Sequence, residues 1–171
     1  MNAQTSFDFQ ETPERLEGFS VVGPDDVPDI VALGDGFYTE SELSSLTPFN
    51  PDRFAQTLLS GLEGGFLHGF LFCSQGVPAG FVFYTLDQTY TKDPLAYIWL
   101  LYVVPSLRKT PAGRLMLDLV EKGARARGAV ALYGGVMAGI DEVKTTRPNL
   151  YRKQGFEPLY WGRKVLREDE D

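Results

Sequence analysis

Residues 95–104 read Leu95-Ala96-Tyr97-Ile98-Trp99-Leu100-Leu101-Tyr102-Val103-Val104, an unbroken apolar run, and no other stretch limits the fold so strongly. The run is too short to cross a bilayer and is closed by Pro105. A strand without alternation is one covered on both faces, so these residues belong in the middle of a sheet with helices on either side. The next segment supplies one helix. Residues 111–127 put Leu115, Leu119 and Ala126 on one side and Arg114, Asp118, Glu121 and Arg125 on the other. Gly128 then suits a helix terminus, and residues 129–136 return as a strand, giving a strand–helix–strand unit with parallel outer strands.

The upstream half provides the rest of the sheet and the other helical layer. Residues 19–22 read as a short first strand, and Pro24-Asp25-Asp26 opens a helix carrying Val27, Ile30, Val31 and Leu33, expected to end at Gly34 or Gly36. Asn50-Pro51-Asp52 opens a second helix through about Ser60, stopped by Gly61, Gly64 and Gly65. Residues 66–73 and 79–86 form a β-hairpin across a longer loop at 74–78. Near the end, Pro148 opens a short helix closed by Gly155, and residues 156–166 make a last strand. The expectation is one α/β (α+β) domain over residues 18–171, a mixed central sheet of about six or seven strands with helices on both faces, preceded by a polar tail at 1–17. With 171 residues, 43% of them hydrophobic, the chain can bury such a core without staples.

Several chemistries are disfavoured. The single cysteine, Cys73, cannot form an intrachain disulfide and sits in an apolar run as a small hydrophobe. The single histidine, His68, argues against a multi-histidine metal site or a Ser-His-Asp triad, so no metal is expected. Gly-x-Ser-x-Gly, Walker-type and dinucleotide-binding glycine motifs are absent from the sequence. A net charge of −7 repels nucleic acid and anionic membrane and attracts cations. The first 20 residues lack a basic and apolar leader pattern, so the expected location is the cytoplasm. Basic residues gather late, at Arg147, Arg152, Lys153, Arg163, Lys164 and Arg167. They could meet a ribose phosphate or a polyanion, and the commonest reading is a solvated face.

The segment joining the central strand to the amphipathic helix is Val103-Val104-Pro105-Ser106-Leu107-Arg108-Lys109-Thr110-Pro111-Ala112-Gly113. The first turn of a helix leaves N–H groups unpaired and carries partial positive charge, so it can cradle a diphosphate. Thr110, Ala112, Gly113 and Arg114 can offer amides there, and Arg108 and Arg114 can add charge-assisted contacts, with Lys109 between them. A second segment is Leu150-Tyr151-Arg152-Lys153-Gln154-Gly155-Phe156.

These segments, with the order of elements, resemble the GNAT superfamily of N-acetyltransferases. Its acetyl-CoA signature is Arg or Gln, two residues, Gly, one residue, then Gly or Ala. It is matched from Arg108 to Gly113, with Pro111 in the place of the first glycine. At the first helical position proline costs the helix no hydrogen bond and pre-forms the turn, leaving one amide fewer for phosphate. The resemblance implies acetyl-CoA as co-substrate and transfer to a primary amine by direct attack in a ternary complex. It also implies Tyr151 as the acid that protonates the departing thiolate. Backbone groups of residues 101–104, including Tyr102, Val103 and Val104, would pair with pantetheine and hold the acetyl carbonyl. Asn149, near the place of an asparagine that relatives carry where Lys144 falls here, is included as a coenzyme contact.

Residues 95–104 offer no carboxylate to deprotonate the amine. Glu40, Glu42, Asp87 or a chain of waters are the candidates. The loops 36–50 and 87–94 would select the acceptor. An alternative from another class is a non-catalytic acyl-CoA sensor or interaction module on the same fold, with Pro111 and the missing base as its signs. Pairing of two chains is compatible with the family.

Overall fold

A computed structural model describes residues 18–134 and 151–156. One sheet of five strands runs through them, in the order β1-β2-β3-β4-β5. These are β1 (Phe19–Val21), β2 (Leu67–Ser74), β3 (Val77–Asp87), β4 (Leu95–Val103) and β5 (Ala131–Gly134). The first four pair antiparallel, and β5 pairs parallel to β4. That change of direction is made by helix α3 (Ala112–Ala126), the crossover expected from the amphipathic segment. The expected final strand at 156–166 lies, apart from Phe156, outside the described residues.

Two helices cover one face and α3 the other. Helices α1 (Val27–Thr39) and α2 (Pro51–Glu63) enclose Ile30, Phe37 and Leu58 with Phe81, Phe83, Leu100 and Tyr102. On the opposite face α3 buries Ala112, Met116, Leu117, Leu119, Val120 and Ala124 against Val82, Tyr84, Ala96 and Ile98. Full burial of a Met, Leu or Val side chain stabilises by roughly 1.5–3 kcal/mol, so this stripe holds the crossover to the sheet. Ala126, read as part of the buried side, is exposed, because the stripe has drifted past it by the last turn.

Three details differ from the sequence reading. Helix α1 does not stop at Gly34 or Gly36 but continues to Thr39. Both glycines serve close approach instead: a Cβ at Gly34 would lie 2.7 Å from the Phe54 ring, and one at Gly36 would lie 2.7 Å from the Tyr102 hydroxyl. Helix α2 likewise runs through Gly61 to Glu63, where Gly64 caps it. The β2–β3 hairpin closes through Gln75 and Gly76 alone, with φ of 53° and 78°. Two consecutive positive φ values make the tight turn that matches strand twist.

Strand β4 contains an extra residue. Phe83 faces Leu100 and Tyr84 faces Ile98, leaving Trp99 as a β-bulge. Before it Ala96 and Ile98 point into the α3 core, whereas after it Leu100 and Tyr102 point into the α1–α2 core. The strand is covered on both faces, as its composition requires, but the faces exchange residues midway. No helix among the described residues is long and apolar enough to cross a membrane.

Candidate active site

The last sheet bond beyond β4 runs from the Val104 amide to the Ala79 carbonyl at 2.9 Å. Pro105 then turns the chain into a 3-10 turn, Pro105–Leu107. The Arg108 amide donates to the Pro105 carbonyl (3.3 Å) and the Thr110 amide to the Leu107 carbonyl (3.1 Å). The Thr110 hydroxyl also donates to the Leu107 carbonyl (2.6 Å) and accepts from the Ala112 amide (3.3 Å). Pro111 stands one place earlier than expected, as N-cap of α3 rather than its first residue, with φ of −66°. Among the described residues no acceptor meets the N–H groups of Gly113 and Arg114. Of the four amides expected to point outward, the fold therefore spends Thr110 and Ala112 on itself and leaves two. Lys109 and Arg114 are exposed beside them.

Arg108 turns the other way. Its Nε donates to the Val103 carbonyl at 3.0 Å, its guanidinium carbon lies 5.7 Å from the Tyr102 ring centre, and Nη2 donates to Glu40 Oε2 in an ion pair. The Tyr102 hydroxyl donates to the other oxygen of Glu40 at 3.2 Å. Burial, then the neighbouring Glu40 charge, raises the Tyr102 pKa, so the phenol stays protonated and acts as donor. Glu40, at the C-terminal cap of α1, is thus tied to the end of β4 and to the loop after it. The sequence offered Glu40 as a candidate base and gave no sign of its pairing with Arg108, since 68 residues separate the two.

The parallel ladder between β4 and β5 is described for four pairs and ends at Ile98 and Gly134. Tyr151 lies over that end. Its ring belongs to the α3-side core, and a Cβ on Gly134 would sit 2.5 Å from it. Phe156 packs edge-on to the same ring, with centres 5.0 Å apart. Residues 151–153 form a helical turn, and the Tyr151 carbonyl accepts from the Gln154 and Phe156 amides at 3.0 and 3.1 Å. Gln154 then reaches α3, donating to Asp118 Oδ1 at 3.1 Å and the Arg114 carbonyl at 3.4 Å. This clasp between the Tyr151 turn and the helix that starts at the loop was missed in the sequence, where nothing local sets Gln154 apart from its neighbours and its partners lie 36 and 40 residues away. Asn149 lies outside the described residues.

Asp87 ends β3, opposite Leu95. Its carboxylate accepts from the Thr89 amide at 2.7 Å, and bonding to Thr89 holds its pKa below the usual carboxylate value. His68 on β2 lies beside Tyr84, with rings 5.3 Å apart, and burial followed by the Arg127 charge lowers its pKa. Cys73 is partly buried, and its thiol pKa is raised chiefly by burial. Neither residue is part of the loop or of the Tyr151 turn.

One mixed sheet, a central strand feeding a helix through a short basic loop, and a parallel partner strand define an α/β class shared with N-acetyltransferases of known structure. A GCN5-related N-acetyltransferase from Ralstonia eutropha is similar at a TM-score of 0.68 and 19% identity, over 86% of this chain and 97% of that one. An aminoglycoside N-acetyltransferase solved with CoA is similar at 0.67 and 15%, over 90% and 94%. A ribosomal-protein-alanine N-acetyltransferase from Brucella melitensis is similar at 0.66 and 16%, over 88% and 97%. At these identities the likeness is one of fold. The model of the acetyltransferase (GNAT) family matches residues 35–156, and the chain belongs to that family. Comparison with curated proteins gives no match.

Proposed function

We propose that this chain transfers an acetyl group from acetyl-CoA to a primary amine by direct attack while both substrates are bound. The observation that carries the proposal is the pair of open amides, Gly113 and Arg114, at the start of α3 directly behind the central strand. They suit a diphosphate, and the exposed Lys109 and Arg114 side chains add positive charge beside them. Arg108, committed to Glu40 and the Val103 carbonyl, braces the loop from behind.

Acetyl-CoA supplies the thioester carbonyl. Residues 101–104 offer backbone groups on the β5 side, beyond the last described ladder pair, to bind the coenzyme arm and to stabilise charge developing on the carbonyl oxygen. The amine nitrogen forms its bond to the carbonyl carbon as the carbon–sulfur bond breaks. The departing sulfur takes the Tyr151 proton, and the proton that the nitrogen sheds as the amide forms passes to solvent, which reprotonates Tyr151. The acceptor arrives as an ammonium and must first lose a proton. Glu40 is held by Arg108 and Asp87 by Thr89, which leaves Glu42 or a chain of waters to carry that proton away.

Replacing Tyr151 by Phe is expected to lower turnover by roughly a hundredfold or more. Acetyl-CoA affinity, measured by calorimetry, stays the same. Full activity in that variant overturns the acid assignment. Acetyl-CoA binding without thiol release on any of a broad panel of amines would instead mark the chain as an acyl-CoA sensor.

A further inference from the structure

One face of the sheet beside the end of the β4–β5 ladder carries side chains that acetyl transfer has not yet used. Tyr97 and Tyr133 are cross-strand partners whose rings stack, 5.0 Å between centres and 16° between planes. Their sequence neighbours Ala96, Ile98 and Leu132 pack into the α3-side core, and Gly134 lies against the Tyr151 ring. Alternation along a strand therefore puts both tyrosines on the opposite face. Thr85 and Leu67 continue the same row across β3 and β2. Helix α1 lies over β3 and α2 over β2, and both tyrosines remain partly exposed.

Position and charge define what this face can hold. The tyrosine pair is one residue, about 3.3 Å, from the Ile98–Gly134 pair that Tyr151 covers from the other side. Trp99, 42% exposed, follows at the bulge. Asp87 shares the face with Thr85 by alternation and is the only carboxylate on the described strands. The molecule around it carries a net charge of −7. Aromatic ring faces beside one fixed negative charge attract an organic cation that itself carries a flat apolar group. A polyamine or an aminoglycoside calls for several spaced carboxylates, and Glu40, the other acidic group tied to β4, is neutralised by Arg108.

We propose that the acceptor is an arylalkylamine, its ring lying along the Tyr97–Tyr133 stack and its amine reaching the end of the β4–β5 ladder on the side away from Tyr151. The proposal rests on the acetyl-transfer function and deepens it. Tyr97 and Tyr133 are then specificity-determining residues; Asp87, opposite Leu95, stands at the other end of the stack from the reacting amine and adds to the negative field of this face without pairing with it.

The test measures kcat/KM by thiol release with the full chain, acetyl-CoA and each of 2-phenylethylamine, n-butylamine and spermidine. 2-Phenylethylamine is expected to exceed the other two by about tenfold or more. The ratio of 2-phenylethylamine to n-butylamine falls by about tenfold in Tyr133→Leu and is kept in Tyr133→Phe, because stacking needs a ring and not a hydroxyl. Should Tyr133→Leu fail to fold, Tyr97→Leu is read in the same way. Equal use of n-butylamine or spermidine, or an unchanged ratio in the leucine variant, overturns the arylalkylamine proposal and leaves acetyl transfer standing. Absence of thiol release with all three overturns the arylalkylamine proposal as a turnover claim, and the broad amine panel then decides whether acetyl transfer itself stands. Calorimetric titration of 2-phenylethylamine into the acetyl-CoA-loaded protein then decides the site alone: binding that Tyr133→Leu abolishes supports it, and no binding overturns it.

Discussion

Glu40 ties together two segments that lie more than sixty residues further along the chain. Its two oxygens accept hydrogen bonds, one from the Tyr102 phenol on β4 and one from the Arg108 guanidinium in the loop that precedes α3, so one side chain at the end of α1 fixes both. His68 shows the converse, a titratable group held by surroundings that do not need its charge. Burial and the nearby Arg127 lower its pKa from 6.5, so the folded state prefers the neutral ring more than the unfolded chain does. The sign follows. His68 contributes its full stability above pH 6.5, and the contribution is lost as pH falls from there through the folded value. Thermal melts at pH 7.5 and at about pH 5 are expected to show a drop in the parent that is smaller in His68→Gln. An equal drop in both would place the acid sensitivity elsewhere.

Among the elements, α1 shows what local sequence can hide. Glycine normally weakens a helix interior by roughly 0.5–1 kcal/mol relative to alanine, and on that rule Gly34 looked like an end. Here the missing side chain is occupied by the Phe54 ring of α2, at 2.7 Å from where a Cβ would stand. Gly34→Ala is therefore expected to destabilise, by about 1–3 kcal/mol, because overpacking outweighs the gain in helix propensity. A lowered urea midpoint checks it, and a raised one would show that Phe54 yields freely. Strands β1–β5, the start of α2 and helix α3 were legible because period and capping residues are local, as with Asn50, whose side chain accepts from the Arg53 amide at 2.9 Å. The β2–β3 turn was misjudged for a different reason: Gln75 is not a residue that advertises a positive φ.

At the scale of the whole molecule, ligand binding and the fold are linked. A coenzyme that binds only the folded chain stabilises it by about 2.7 kcal/mol at a hundredfold excess over Kd, a rise of roughly 5–11 °C in Tm. Acetyl-CoA is expected to give such a rise, and Gly113→Glu, which sets a negative side chain beside the open amides, to abolish it. A shift that survives in this variant would move the diphosphate to another surface. The loop was readable in sequence because strand, loop and helix are contiguous. The Glu40–Tyr102–Arg108 contact, the seat of Tyr151 on Gly134 and the Tyr97–Tyr133 stack were not, since each joins residues far apart along the chain and needs the register of the sheet to be known. Trp99, finally, acts as a phase shift in the central strand. Odd and even positions trade places there, so the first half of β4 and the second half answer to different neighbours. The half that carries Tyr97 can change its chemistry while the half that anchors α1 keeps its own, and one continuous strand thereby serves two independently adjustable surfaces.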